Sequence, residues 1–370
     1  MSVDLFAIDL IVLVTFGGAV NWTVGFLTTV AIFGIVALGL NLQWGYTGVF
    51  NFGVVAFFMV GAYTSALLTL PHPDAVMVTP SGAEVTGVLD YAGGFGLPVP
   101  VGWLAGMGAA GALALIVGLP TLRLRHDFLA IATIGIAAIL RSIANSIEGL
   151  VNRSSGLSGI PRFLDELASG EDYRWVLLGI ALLMLIVVYL ALQRTVDSPW
   201  GRVLRAIREN EDTAKAAGKN TVSFRMQSFV LGGMIMGLGG AIFAHRFGAI
   251  APTSFSDLLG TFLIWAMLMV GGSGNNRGAL LGALLVGFFW FGTPLIQEDL
   301  PDFLGNRVFM IRQLVIGLLI VVFVVARPQG ILPERRRVSR FVSDPDSAGG
   351  RWASLRARFA GSGPRSSPEA

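Results

Sequence analysis

Long apolar segments recur along almost the whole chain and constrain its fold more than any other feature. A helix needs about 20 apolar residues to cross about 30 Å of hydrocarbon. With 13% charged residues and a mean hydropathy of +0.71, the chain lies outside the range of soluble globular domains. The sequence predicts an all-α polytopic membrane protein with about ten transmembrane helices. The predicted spans are residues 5–20, 22–42, 49–70, 97–120, 128–149, 174–192, 226–249, 257–273, 278–297 and 308–326.

The first of these segments is short and acidic. The segment 5–20 contains Asp9 and comes directly after Asp4. No positively charged region precedes it, so it does not have the pattern of a cleaved signal peptide. We expect residues 5–20 to form a short first span, and the sequence leaves open whether that span is complete.

The basic residues predict the orientation of the chain. Of the 26 Lys and Arg residues, nineteen fall on one side when the loop 193–225 and the C-terminal tail are placed in the cytoplasm. The loop 71–96 contains three acidic residues and no Lys or Arg. The same arrangement places this loop outside. Because cytoplasmic loops carry the excess of positive charge, ten spans with both termini inside satisfy this pattern.

Several functions are excluded or disfavoured by what the sequence lacks. It has no cysteine, and its three histidines show no ligand spacing, so no metal or cofactor site is predicted. It has no G-x-x-x-x-G-K-[ST] phosphate loop and no Ser/His/Asp arrangement, so we expect neither an ATPase site nor a catalytic site in this chain. The basic residues lie in loops rather than on one soluble face, which argues against nucleic-acid binding.

The chain is predicted to divide into a transmembrane domain, residues 1–332, and a basic tail, residues 333–370. The tail is rich in Arg, Ser, Gly and Pro and loses the apolar pattern. Such a composition predicts disorder, with the basic start close to anionic lipid headgroups.

A polar, glycine-rich run between two predicted spans is the first candidate for a substrate pathway. Three amide side chains and several glycines gather between residues 41 and 53, at or below the edge of the bilayer. This pattern indicates an unwound or re-entrant segment that faces water or substrate. The candidate residues are Asn41, Gln43, Gly45, Gly48 and Asn51.

A second polar group lies within the span 128–149. Arg141, Asn145 and Glu148 have the spacing i, i+4, i+7 and therefore share one helix face. An arginine in an apolar segment either lines a polar pathway or extends to the interface, and the sequence does not decide between these. The Gly-Ser turn 154–161, with Ser158, is predicted at the external mouth.

The polar insert from Ser198 to Lys219 is predicted to be one helix. Ser198 and Pro199 form a helix start, and Gly218 forms a stop. Small apolar residues share one face, and charged residues occupy the rest. Such a helix can lie on the membrane surface or dock a soluble partner, and composition alone favours the membrane surface.

The run GRVLRAIRENEDTAKAAGKN, from Gly201, resembles the permease family of branched-chain amino-acid ABC importers. Other segments resemble the same family in the same order, over about residues 22–332, and the closest resemblance is to the permease-pair member with the longer N-terminal region. These segments are LGLNLQWGYTGVFNFGVVAFFMVGAYTSALL, LRLRHDFLAIATIGIAAILRSI, SSGLSGIPR, AHRFGAIAPTSFSD, GGSGNNRGALLGALL and RPQGIL.

The resemblance implies a permease subunit in the inner (plasma) membrane. Its partners would be a second related permease, two cytoplasmic ABC ATPases that bind the ATP, and an extracytoplasmic solute-binding protein. The insert would be the coupling helix that meets an ATPase. The residues implied at this contact are Arg205, Glu209, Asp212, Ala214 and Gly218.

Two positions depart from the family pattern. Ala138 stands where relatives often have an acidic residue one turn before Arg141, and Asn51 stands where many have Asp. Both changes remove negative charge, so urea or short amides remain alternative substrates. An ion-coupled secondary transporter is the competing class, because the glycine-rich turn at Asn41 also fits broken helices.

Overall fold

The structure of the chain is a computed structural model. It describes residues 3–72, 77–78, 84–85, 93–124, 126–147, 151–152, 155–164, 172–293, 307–327 and 329–334. The predicted roles of Glu148 and Ser154, and the predicted tail from residue 335 onward, lie outside these residues.

Helices make up most of the described chain. Their ends lie within a few residues of the predicted spans in several cases, although α5 runs to Asp197 rather than 192. The helices are α1 (Val3–Leu40), α2 (Val54–Thr69), α3 (Val99–Thr121), α4 (His126–Ser146), α5 (Tyr173–Asp197), α6 (Pro199–Glu209), α7 (Glu211–Ala216), α8 (Thr221–Phe247), α9 (Leu263–Gly271), α10 (Asn276–Gly292) and α11 (Val308–Ala326).

Short irregular elements interrupt this helical pattern. Two antiparallel strand pairs are present, β1 (Met77–Val78) with β2 (Glu84–Val85), and β3 (Leu157–Ser158) with β4 (Ala249–Ile250). A π-helical turn, Asn41–Tyr46, continues α1, and a second one, Leu258–Phe262, precedes α9. A 3₁₀ turn, Pro252–Phe255, lies between β4 and the second π-helical turn.

The first two predicted spans, 5–20 and 22–42, are one continuous helix, so the prediction of two separate crossings is wrong. α1 has 38 residues and is about 57 Å long at 1.5 Å per residue. Only Asn21 separates the two predicted spans, whereas a reversal between packed helices normally needs at least two residues. The distribution of charge beyond residue 42 is unaffected. However, the number of predicted crossings falls by one, and the even number of ten was what placed both termini on the same side.

The described residues contain five helices that are long and apolar enough to cross a membrane, or six if one bent pair counts as a span. α2 and α11 are shorter apolar helices. The bent pair begins at Leu258, and its second half, α10, turns back by 120° after residues 272–275. The predicted spans 257–273 and 278–297 are therefore one sharply bent hairpin, and residues 294–297 lie outside the described part. The all-α polytopic fold is confirmed.

Glycine allows α8 to lie at the centre of the fold, against α1, α2 and α3. A methyl group added at Gly61 in α2 would lie 2.1 Å from the carbonyl oxygen of Gly237 in α8. One added at Gly240 would lie 1.9 Å from the carbonyl oxygen of Phe58. Because both distances are far below van der Waals contact, these backbones approach as closely as small residues permit.

Candidate functional site

The polar insert forms two short helices instead of the single helix predicted. α6 begins at Pro199 as expected, but the Ser198 hydroxyl donates to the Thr195 carbonyl rather than capping the helix. At Asn210 the backbone is extended, with φ −156°, and the Asn210 side chain accepts a hydrogen bond from the Thr213 amide. Asn is a preferred N-cap residue, so it ends one helix and starts the next.

The insert presents a polar surface in and around its second helix. Glu209, Asp212 and Gly218 are exposed, as a contact with a partner requires. Gly218 has φ +76° and ends the insert as predicted, and the Lys219 amide donates to the Ala214 carbonyl. Ala214 itself is only 5% exposed. Its side chain packs inside the chain, beneath the surface of the insert, and its place at the contact stays a prediction.

Glu211 joins this helix to α8. Its carboxylate lies 3.3 Å from Arg225, which is buried, and 3.1 Å from Lys215, and it accepts a hydrogen bond from Thr221. Burial alone would raise the pKa of Glu211, but the hydrogen bond from Lys215 and the charge of Arg225 outweigh it and hold this pKa below its ordinary value. The short helix is thereby tied to a long membrane helix by ionised groups.

Two arginines of α6 reach the polar turn that follows α1. The Arg205 guanidinium lies over the Tyr46 ring, 6.0 Å from its centroid. Arg208, which sequence reasoning missed, donates to the Gly45 carbonyl and lies 2.5 Å from the Glu334 carboxylate. Arg208 follows the buried Leu204 by four residues, so helical periodicity alone places it on the inward face.

The predicted pathway residues of the turn lie inside the protein. Asn41, Gln43 and Asn51 are each 0% exposed, so in this conformation they do not face water as expected. Asn41 pairs with Asn276 at 2.9 Å, and Gln43 donates to the Phe229 carbonyl at 2.7 Å. The segment is unwound, as predicted, but its amides are satisfied within the chain. A role in substrate passage stays a prediction.

Asn51 is explained by its neighbour. The side-chain nitrogen of Asn51 donates to the side-chain oxygen of Gln43 at 2.7 Å. The side-chain oxygen of Asn51 accepts from the backbone amide of Gly53. Gln43 must turn its nitrogen towards the Phe229 carbonyl, which leaves only an acceptor for residue 51. An aspartate here would place two acceptors together, so the amide is needed by this packing.

The glycines of the turn permit close contacts. A methyl group at Gly45 would lie 2.0 Å from the Asn41 side-chain oxygen. Gly48 has φ +76°, a conformation that favours glycine. Both residues therefore shape the turn, and neither is exposed as a lining surface in the way the sequence predicted for a pathway.

The second predicted polar group is only partly brought together. Arg141 forms an ion pair with Asp257 at 2.8 Å and donates to the Phe255 carbonyl. Asn145 is exposed near the end of α4, and Ser158 is exposed in β3, which pairs with β4. An acidic partner for Arg141 is thus supplied from a distant segment, although Ala138 removes the one expected from α4.

An apolar cavity of about 140 Å³ lies elsewhere, lined mainly by aromatic side chains of α1, α2, α8 and α10, among them Phe33, Phe243 and Trp290. None of the predicted pathway residues lines it. Within the described residues, His, Asp and Glu side chains form no cluster that could hold a metal ion.

The apolar helices, the bent hairpin and the exposed polar insert define a multi-pass α-helical membrane protein. Residues 22–324 match the family described as branched-chain amino acid transport system / permease component. The chain belongs to this branched-chain amino acid ABC permease family, so the family resemblance is confirmed.

Several curated proteins are similar over most of the chain. A probable branched-chain amino acid transport permease protein LivM of Methanocaldococcus jannaschii is 28% identical, over 81% of this chain and 90% of the relative. The high-affinity LivM permease protein of Escherichia coli is 29% identical, over 90% and 75% respectively. The LivH permease protein of the same organism is 23% identical, over 83% and 93%. No solved structure matches the chain.

Proposed function

We propose that this chain is the transmembrane permease subunit of an ATP-driven importer for branched-chain or related amino acids. The observation that carries the proposal is the surface of the polar insert, exposed at Glu209, Asp212 and Gly218 and tied to α8 through Glu211 and Arg225. A surface that is both accessible and tied to a membrane helix suits a partner that must move that helix. Family membership supports the direction of transport.

The similarity to both LivM and LivH proteins supports pairing with a second, related permease. Two cytoplasmic ABC ATPases would contact the inserts of the two permeases and bind the ATP, and a solute-binding protein would deliver the substrate from outside. The chain itself then needs no nucleotide site. Closure of the ATPases would displace the inserts and switch the permeases between outward and inward access.

The excess of positive charge supports a cytoplasmic position for the insert and the C-terminal tail in the inner membrane. Because residues 5–42 are one helix rather than two spans, the same charge pattern now favours an external N-terminus. This replaces the arrangement with both termini inside, and a reporter fused to each terminus distinguishes the two.

Reconstitution with the partner subunits tests this function. Proteoliposomes that contain both permeases and the ATPases should accumulate radiolabelled leucine when ATP is enclosed with the ATPases and the binding protein is on the other side. Uptake without the ATPases contradicts the proposal. Uptake that an ionophore abolishes at constant ATP favours the ion-coupled alternative instead.

The insert has its own test in this assay. Asp212 is 95% exposed, so Asp212→Arg should disturb the contact with an ATPase without disturbing the fold, and Asp212→Asn is its size-matched control. We expect the Arg variant to insert normally and to lose transport about tenfold or more, since reversal of a charge at an interface disrupts its electrostatic complementarity. Loss of membrane insertion would instead assign the insert a folding role.

Urea or short amides are the alternative substrates for the same permease, although Asp257 supplies the charge absent at Ala138 and the packing of Gln43 accounts for Asn51. Two measurements separate the amino acids from urea and short amides as substrates. One is competition by urea or short amides for leucine uptake, and the other is their binding to the purified solute-binding protein.

A further inference from the structure

Arg208 is a charged side chain of the insert that contacts the transmembrane body. It lies in the last turn of α6 and is largely buried, with 24% of its side chain exposed. One guanidinium nitrogen donates to the Gly45 carbonyl in the π-helical turn after α1. Another lies 2.5 Å from the carboxylate of Glu334, which follows the last described helix. Three separate segments therefore meet at one charged group.

The surrounding backbone is shaped to admit this side chain. A methyl group at Gly48 would lie 3.1 Å from the Arg208 Cγ, and one at Gly274 would lie 2.9 Å from its Nη1. Both glycines have φ +76°. We call Gly45, Gly48, Gly274 and Glu334 the Arg208 seat. Two of its glycines adopt a conformation that side chains disfavour and also leave the space that Arg208 occupies.

The seat lies where two breaks in the membrane helices meet. Gly45 and Gly48 belong to the unwound segment after α1, and Gly274 belongs to the turn of the bent hairpin between α9 and α10. The Gly274 amide donates to the Asn41 side-chain oxygen at 2.8 Å, and Asn41 also pairs with Asn276. The two breaks are thus hydrogen-bonded to each other, and Arg208 is hydrogen-bonded to the first and packs close to the second.

We propose that Arg208 is a positioning residue that carries movement of α6 to these two breaks, with Glu334 fixing its guanidinium in the seat. This proposal rests on the proposed function, because it assumes that an ATPase displaces the insert. Hydrogen bonds that involve an ionised group are stronger than neutral ones, so they can transmit force between elements that share little other contact. The broken segments lack the continuous backbone hydrogen bonds of an α-helix, so they are places where a membrane helix can change its bend.

The test uses the full reconstituted importer and measures leucine transported per ATP hydrolysed. The variants are Arg208→Gln, Arg208→Lys and the control Arg202→Gln, which removes an exposed arginine of the same helix. We expect Arg208→Gln to assemble with the ATPases and hydrolyse ATP normally, with transport per ATP about tenfold lower. Arg208→Lys should keep part of the wild-type transport per ATP, and the control Arg202→Gln should keep all of it.

Two results would overturn the assignment. One is an unchanged ratio in Arg208→Gln, and the other is loss of the ATPases from that variant, which would make Arg208 a docking residue. If the wild-type importer itself shows no ATP-dependent uptake, the proposed function fails, and this outcome is separate from both.

The ion pair gives an independent test within the chain. Glu334→Gln should lower transport per ATP several-fold, because the guanidinium then loses the charge that fixes it in the seat, while its hydrogen bond to the Gly45 carbonyl is left in place. An unchanged ratio of transport to ATP hydrolysis in Glu334→Gln would contradict the role of Glu334.

Discussion

Arg141 and Asp257 form an ion pair of 2.8 Å although 116 positions separate them in the chain. The pair joins α4 to the segment before the second π-helical turn. Ala138 leaves α4 without an acidic residue one turn before the arginine, and Asp257 supplies that charge from elsewhere. The pair is partly exposed, with 28% and 37% of the two side chains accessible, so its strength is moderated by solvent.

A double-mutant cycle measures this pair. Arg141→Gln and Asp257→Asn should each lower the free energy of unfolding in mixed micelles, and the coupling energy should be about 1 kcal/mol or less after allowance for screening. If the double variant loses as much unfolding free energy as the two single variants lose together, the two groups do not interact. Both asparagine and glutamine keep hydrogen-bonding capacity, which limits the change to charge.

The long spans were predictable because their cause is local. A run of apolar residues must satisfy its own backbone hydrogen bonds inside a bilayer, so α3, α5 and α8 follow from composition alone. The continuity of α1 does not follow from the apolar signal, which the polar Asn21 interrupts, but it does follow from connection length, because one residue is too short to reverse the chain. The bends before α9 and after it depend on contacts with distant segments.

The candidate site was predictable as a region but not in detail. Charge and capping residues identified the insert, and the exposure of Asp212 and Gly218 agrees with that identification. The break at Asn210 was missed because the small apolar residues of the insert fit one continuous helix face, although Asn followed by two acidic residues is itself a helix-start signal. Arg202, Arg205 and Arg208 are alike in type, so only their spacing from buried residues, and the glycines far away in the chain, distinguish the one that enters the interior.

Glu211 should make the insert sensitive to acid. Its pKa lies below the ordinary value of 4.5 in the folded chain. A lowered pKa means that its carboxylate stabilises the fold fully above the unfolded value and that this contribution is lost as pH falls through the folded value. We expect Glu211→Gln to be less stable than wild type at pH 7, with the difference shrinking below about pH 4.5. Unfolding measured at both pH values checks this, and a difference independent of pH would contradict it.

Gly218 offers a way to separate backbone strain from surface contact. Its φ is +76°, and a side chain built there meets nothing within 4 Å. Gly218→Asn keeps the left-handed conformation at little cost, whereas Gly218→Ala costs about 1 kcal/mol without adding a charge. We expect Gly218→Arg to uncouple transport from ATP hydrolysis in the reconstituted importer while both smaller variants retain it. If Gly218→Ala uncouples equally, strain rather than the surface is responsible.

Gly240 should be among the least tolerant positions of the membrane domain. A methyl group there would lie 1.9 Å from the Phe58 carbonyl oxygen, and neither backbone can move without separating α2 from α8. We expect Gly240→Ala to cost about 3 kcal/mol or more, seen as a lower melting temperature and less monodisperse protein on size-exclusion chromatography. Gly179→Ala is the matched control, because Gly179 is also helical and a methyl group there meets nothing within 4 Å; its stability should change by less than about 1 kcal/mol. Equal losses in both variants would mean that loss of glycine itself, rather than helix contact, is destabilising.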